Sequence, residues 1–278
     1  MKFFNTPKQI NKLIKDAVVQ CRPMSIGKIG IVESINLYSY LYNSNDLYDS
    51  NEIKGSELFV NAGVYTANYQ DFVDWCESYL ECVKSLSYIM QWSSTDKKII
   101  NQHFKKKQIF KNFEGLEPFT LGEDGWHYSL KNKTVLCVSP FTKTVLSQAI
   151  KFKDIWPGAN IGKIITVSTP HSEALTGIKP VSWKQKLNLI LEEIDNLDFD
   201  FATVGCGGLS LHVCDHIKKL GKPSIHLGGA NQLLYGIMGK RWDEGFKNTS
   251  WYGTSSWTRP LKVDTPHNKN LVENGCYW

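Results

Sequence analysis

The sequence predicts an α/β fold: a Rossmann-like, doubly wound, mostly parallel sheet with an N-terminal helical elaboration between about residues 66 and 112. Three observations predict it. Short apolar runs rich in branched and aromatic residues alternate with stretches of helical periodicity. Several of these runs break into glycine just before a helix, and at 202–242 two such strand, glycine and helix units follow one another. The 278 residues are 42% hydrophobic, enough to bury both faces of a sheet.

The first helix opens at Thr6-Pro7, an N-cap followed by proline in the first turn, and Ile10, Leu13, Ile14, Ala17 and Val18 then recur at helical spacing. Residues 24–26 read as a short buried strand ending at Gly27. Lys28, Ile29 and Gly30 lead into a helix carrying Glu33 and the segment 37–41. The NAGVY at 61–65 precedes a helix from about 68 to 90, and a second helix is predicted over 96–110. Prolines, glycines and acids at 113–130 mark a connection rather than core, a sub-boundary within one α/β domain spanning 1–278. A strand at 134–138 ends in Ser139-Pro140-Phe141 and is followed by a helix to about 151. Further on, a strand at 163–168, a helix at 183–194 and a strand at 199–204 lead to the turn Gly205-Cys206-Gly207-Gly208 and a helix at 209–220. A last strand at 223–227 turns at Gly228-Gly229 into a helix at 230–237, and an aromatic tail fills 242–278.

Composition narrows the partners. The net charge of +5 is diffuse, which suits a small anionic partner such as a nucleotide sugar and gives no concentrated basic footprint for nucleic acid. No apolar stretch is long enough to span a bilayer. The seven cysteines are odd in number and scattered, as expected of free thiols in a reducing compartment. The expectation is a soluble, cytoplasmic protein without a membrane span.

The two glycine turns at 205–208 and 228–229 carry the chemistry. Glycine lets backbone approach a ligand closely, and the free N–H groups of a helix start favour an anion. Gly205-x-Gly207-x-x-Ser210 comes near the dinucleotide fingerprint, but Ser210 replaces the third glycine and the next strand ends in His226-Leu227-Gly228-Gly229 rather than in a ribose-binding acid, so an NAD-dependent oxidoreductase is the weaker reading. His212 and His216 fall one helical turn apart, like two ligands of a zinc site, yet the apolar positions between them suit a helix packed on a sheet. Cys206, inside a glycine turn, is either an activated thiol or a small residue tolerated there. The tail's tryptophans and tyrosines either line an acceptor groove or strap the domain.

RPMSIGKIGIVES near the N-terminus, NAGVY at 61–65, VLCVSPF at 135–141, the run GCGGLSLHVCDHIKKLGKPSIHLGGANQLLYGIMGKRW and the closing VENGCYW together resemble the GT-D-type glycosyltransferase-like proteins of polysaccharide, capsule and glycan biosynthesis. The resemblance covers most of the chain in order. It implies a fold that binds a nucleotide sugar, with a UDP-sugar expected, and transfers the sugar to a hydroxyl of a glycan acceptor. The alternative is a protein that binds a nucleotide or glycan without turnover.

Family enzymes carry an Asp-x-Glu pair that bridges a divalent metal to the donor diphosphate; here the tripeptide is Ile31-Val32-Glu33. Mn²⁺ or Mg²⁺ would therefore have Glu33 as its single carboxylate ligand. Helix starts after Gly27, Ser139, Gly207 and Gly229, aided by Lys28, Lys143 or the Lys240-Arg241 pair, offer a way of holding a diphosphate without a cation. Donor contacts are expected from Gly27, Lys28, Gly30, Ser139, Phe141, Gly205, Gly207, Gly228, Gly229, Lys240 and Arg241. Glu33 is the first candidate for catalytic base and His226 the second.

Overall fold

The computed structural model describes residues 2–4, 6–42, 57–105, 107–169, 171, 177 and 179–278. Its strands are β1 (Lys2–Phe4), β2 (Met24–Lys28), β3 (Tyr88–Met90), β4 (Gln108–Phe110), β5 (Thr134–Ser139), β6 (Lys163–Ser168), β7 (Phe201–Val204) and β8 (Pro223–His226). They pair in parallel throughout, in one sheet of order β1-β4-β3-β2-β8-β7-β5-β6. The α/β, Rossmann-like reading holds. The strand order turns where β2 pairs with β8, and in open sheets of this kind ligands sit at the carboxyl ends of the strands near such a point.

Burial on both faces follows from the period of two along each strand. Val135 and Cys137 of β5 join one buried cluster with Ile10, Ile14 and Trp126, while Leu136 and Val138 join another with Trp75, Ile190 and Leu211. The helices Tyr69–Ser85, Trp183–Asp195 and Ser210–Lys219 contribute to the second cluster, and Pro7–Gln20 contributes to the first. That first helix starts as its sequence predicts. Thr6 Oγ1 accepts from Gln9 N, Gln9 Oε1 accepts from Thr6 N, and Pro7 stands in the first turn.

The N-terminal elaboration is more strand-bearing than its sequence suggests. The helix expected over 68–90 ends at Ser85, and Tyr88–Met90 pairs with both β2 and β4. Ser25 N donates to Ser87 Oγ and Ser87 N to Ser25 O, so sheet pairing captures a segment whose local periodicity continues the helix. The helix expected over 96–110 is Ser94–His103, capped by Ser93 and Asp96, and Gln108–Phe110 is again a strand. The stretch 113–130 is also core rather than mere connection: four 3₁₀ turns bury Leu116, Phe119, Trp126 and Leu130. Fully buried Asn11 ties it down, donating to Glu114 O at 2.7 Å and accepting from Trp126 N at 2.8 Å.

Past β8 the helix expected over 230–237 is the single turn Asn231–Leu234. Gly236 ends it at φ +67°, with Ile155 filling the space a side chain would need. The tail then packs its aromatics onto the first cluster. Trp257 and Trp278 are buried, and Trp251 lies within 6 Å of Trp156 and of Phe119, at 5.7 Å in both cases. The strap reading therefore holds for most of the tail.

Candidate functional site

A cavity of about 400 Å³ opens at the carboxyl ends of β2, β5, β7 and β8. Of the residues expected at the site, Gly30, Glu33, Lys28, Ser139, Phe141, Gly205, Gly207, His226, Gly228, Gly229 and Arg241 line it. Gly27 sits one layer behind, and its missing side chain makes room for His226, whose Cβ would stand 2.9 Å from an added β-carbon. Lys143 and Lys240 are exposed and outside the lining; Lys240 Nζ reaches Asn274 O at 3.5 Å instead.

The glycines are needed, but their vacated space is filled by the protein itself. An added β-carbon on Gly205 would meet Gly228 O at 2.5 Å and Asn231 Cβ at 2.8 Å, so the two turns lean on each other. Gly207, at φ +58°, lies against Ala62 O, which would stand 2.3 Å from an added β-carbon, and Gly208 N donates to that same carbonyl at 2.9 Å. Tyr277 covers Gly229 with its ring edge 2.4 Å from where a β-carbon would be. The helix starts are similarly engaged. Asp264 Oδ2 accepts from Thr144 N and Thr144 Oγ1, both at 2.6 Å, capping the helix Thr142–Ala149 from 120 residues downstream. Cys206 N donates to Ser210 Oγ at the start of the next helix.

Glu33 folds back over the first turn of its helix, Ile31–Tyr42. Burial raises its carboxyl above the ordinary value, against the opposing pull of its own backbone N–H and of the Lys28 ammonium. Among the described residues no group of three His, Cys, Asp or Glu side chains is placed to hold a metal, and Glu33, with the Lys28 ammonium beside it and apolar Ile31 in the other ligand position, does not fit a Mn²⁺ or Mg²⁺ site. His226 is driven the other way, down to about 3, first by burial and then by Lys28. His226 is therefore not poised as a base near neutral pH, whereas the shift of Glu33 carries its carboxyl toward the neutral range.

The cations are held in place. Lys28 Nζ pairs with Glu117 Oε1 at 2.8 Å and lies over Trp92 and Phe113, 5.5 and 5.0 Å from the ring centroids. Arg241 pairs with Glu273, donates to the Tyr277 hydroxyl at 2.9 Å and stacks on the Tyr277 ring at 4.6 Å. Buried Lys186, from the helix Trp183–Asp195, donates to Gly63 O at 3.2 Å on the opposite wall.

Several lining residues have no signature in the sequence. Asn61, Thr169, Asn231 and Gln232 each keep a buried side-chain oxygen without a hydrogen-bond partner, and His226 keeps Nδ1 so. The Gln232 amide is locked because Nε2 donates to Ile237 O, Met238 O and Tyr277 O, leaving Oε1 as an acceptor only. Clustered unsatisfied groups at a cavity wall are what a polar ligand would satisfy. His171 also lines the wall, its Nε2 3.0 Å from Asp264 O and its ring set between Phe141 and Trp278.

The other motifs resolve into structure. His212 bonds Ser78 Oγ at 2.8 Å and His216 bonds Asp195 at 2.6 Å, so the pair does not converge on one point. Burial pushes the Cys206 thiol up to about 12, the reverse of activation. All seven cysteines are free. No helix among the described residues is long and apolar enough to cross a membrane. In comparison with known proteins, no family model and no curated protein matches the chain.

Proposed function

We propose that this protein transfers a sugar from a nucleotide-sugar donor, a UDP-sugar, to a hydroxyl of a glycan acceptor. One observation carries the reading: the cavity lies at the carboxyl ends of four parallel strands, where β2 meets β8, and is walled by glycine turns, paired cations and partnerless amide oxygens. The amide oxygens suit hydroxyl-bearing ligands such as ribose and hexose. Lys28 and Arg241 supply positive charge for a diphosphate, with Glu117 and Glu273 holding them until a ligand arrives. Glu33, its carboxyl folded over Gly30 at a helix start beside Lys28, is assigned to the departing phosphate rather than to the acceptor hydroxyl.

A second reading, binding of a nucleotide or glycan without turnover, draws on Ile31 in the place of the family's first carboxylate. Calorimetric titration with UDP, GDP, CMP and NAD, followed by assay of UDP-sugar hydrolysis, tests both. Selective UDP binding with turnover supports the transferase, binding without turnover supports the second reading, and selective NAD binding overturns both.

A further inference from the structure

We propose that His171 is the base of the transfer, its Nδ1 receiving the proton of the acceptor hydroxyl while the hydroxyl oxygen attacks the anomeric carbon. This rests on the transferase reading above, in its inverting form. The argument begins with the tautomer. His171 Nε2 lies 3.0 Å from Asp264 O, and a backbone carbonyl only accepts, so the ring hydrogen resides on Nε2 and the lone pair on Nδ1.

The group that orients the ring is itself anchored. Asp264 is buried, its carboxylate takes both the N–H and the hydroxyl of Thr144, and its carbonyl also accepts from Trp278 Nε1 at 3.3 Å. Phe141 and Trp278 hold the ring edge-on and tilted, with centroids 5.9 and 5.6 Å away, and all three aromatic groups line the cavity. A base oriented by a third, fixed group is the arrangement that acid-base catalysis requires.

Charge supports the same assignment. Burial holds His171 below the ordinary histidine value and the Asp264 carbonyl and carboxylate partly offset it, so the ring is neutral at pH 7 with its lone pair available. Among the described residues, Asp264 is the charged group acting on His171, and Phe141 and Trp278 present only aromatic surface. Burial takes His226 down to about 3, and Glu33 folds its carboxyl back over Gly30 at the start of its own helix.

The step balances. The acceptor oxygen forms a bond to the anomeric carbon, the bond from that carbon to the diphosphate oxygen breaks, and its electron pair leaves with the nucleoside diphosphate. The proton passes to Nδ1, giving an imidazolium that solvent then deprotonates.

His171→Gln and His171→Ala separate chemistry from support. Glutamine keeps an N–H donor for the Asp264 carbonyl but has no basic lone pair; alanine removes both. UDP-glucose, UDP-galactose and UDP-xylose hydrolysis, with water as the acceptor, is measured from pH 5 to 9, beside UDP binding by calorimetry and the melting temperature. The expected result is that His171→Gln binds UDP within about twofold of the parent and melts with it. Its kcat falls about 10²- to 10⁴-fold, and the acidic limb of the pH profile disappears. A parent that turns over donor while His171→Gln retains its rate and its acidic limb overturns the base assignment alone, as does a variant that loses rate and UDP affinity in parallel. A parent that does not hydrolyse any of the three donors overturns the transferase reading and this assignment with it.

Discussion

Glu33 folds its carboxyl over Gly30 so closely that a β-carbon at position 30 would lie 2.0 Å from Glu33 Oε2. The carboxyl thus occupies the anion-favouring start of its own helix. Because its folded pKa stands above the ordinary 4.5, the folded state holds a proton that the unfolded chain releases. The associated stability is full below pH 4.5 and is lost as pH rises through the folded value. Glu33→Gln, which keeps the shape without the charge, should gain on the parent as pH rises above 4.5. Parallel melting curves between pH 4 and 8 measure this, and a constant offset between the two proteins would refute it.

Three buried histidines work in the opposite sense. Burial takes His127 and His226 to about 3 and His212 to about 4, so each gains protons more readily unfolded than folded. Their contribution is present above about 6.5 and is lost as pH falls toward the folded values, at up to about 1.4 kcal/mol per pH unit for each group. His127 is the cleanest probe, since neither ring nitrogen has a partner and Phe119, Trp126, Tyr128 and Trp156 surround it. His127→Leu should flatten the acid side of the stability profile by about one proton, read from urea midpoints at pH 4 to 6.

Gly207→Ala and Gly245→Ala form a contrast. Gly207 has φ +58° and would drive a β-carbon into Ala62 O, whereas Gly245 sits in the helix Lys240–Phe246 with open space around it. The first change should cost about 2 kcal/mol or more, and the second should gain up to about 1 kcal/mol by restricting the unfolded chain. Denaturant titration of the two variants decides it.

Donor binding should not require a divalent cation, because the Lys28 ammonium, already paired with Glu117, stands beside the carboxyl of Glu33. UDP affinity measured with excess EDTA and with Mn²⁺ should agree within about twofold. A tenfold gain with Mn²⁺ would reinstate Glu33 as a ligand.

Lys28 and Glu117 should act as one unit. Lys28→Met leaves Glu117 partly buried without its cation, and Glu117→Gln frees the ammonium over Trp92 and Phe113. The first should weaken UDP binding at least tenfold and the second should preserve or tighten it, as calorimetry of both would reveal.

Much of the fold was legible because glycine punctuates it. The strands at β2, β5, β6, β7 and β8 follow from apolar runs that stop at a turn, and the helix caps at Thr6 follow from local chemistry. Three-residue strands such as β3 and β4 carry too little pattern to compete with flanking helices, and only their pairing with β2 and with each other reveals them. At the site, the turns announced themselves, but what fills them did not. Ala62 against Gly207 and Tyr277 against Gly229 are meetings of distant segments. His171 and Gln232 matter through one carbonyl and one locked amide, which no spacing in the chain encodes.

Asp264 gives the cavity a timetable. Its carboxylate closes the start of the helix Thr142–Ala149, and its carbonyl fixes His171 and Trp278. On a ribosome, which makes chain from the N-terminal end, the segment 142–149 emerges well before its cap does, so β5 and its helix must wait with open N–H groups while some 120 further residues are added. The half-sheets β1-β4-β3-β2 and β7-β5-β6 join only once β8 is made to lie between β2 and β7, and the wall bearing His171 closes later still, with the tail, so a nascent chain that stops between the two would hold all eight strands and no finished pocket.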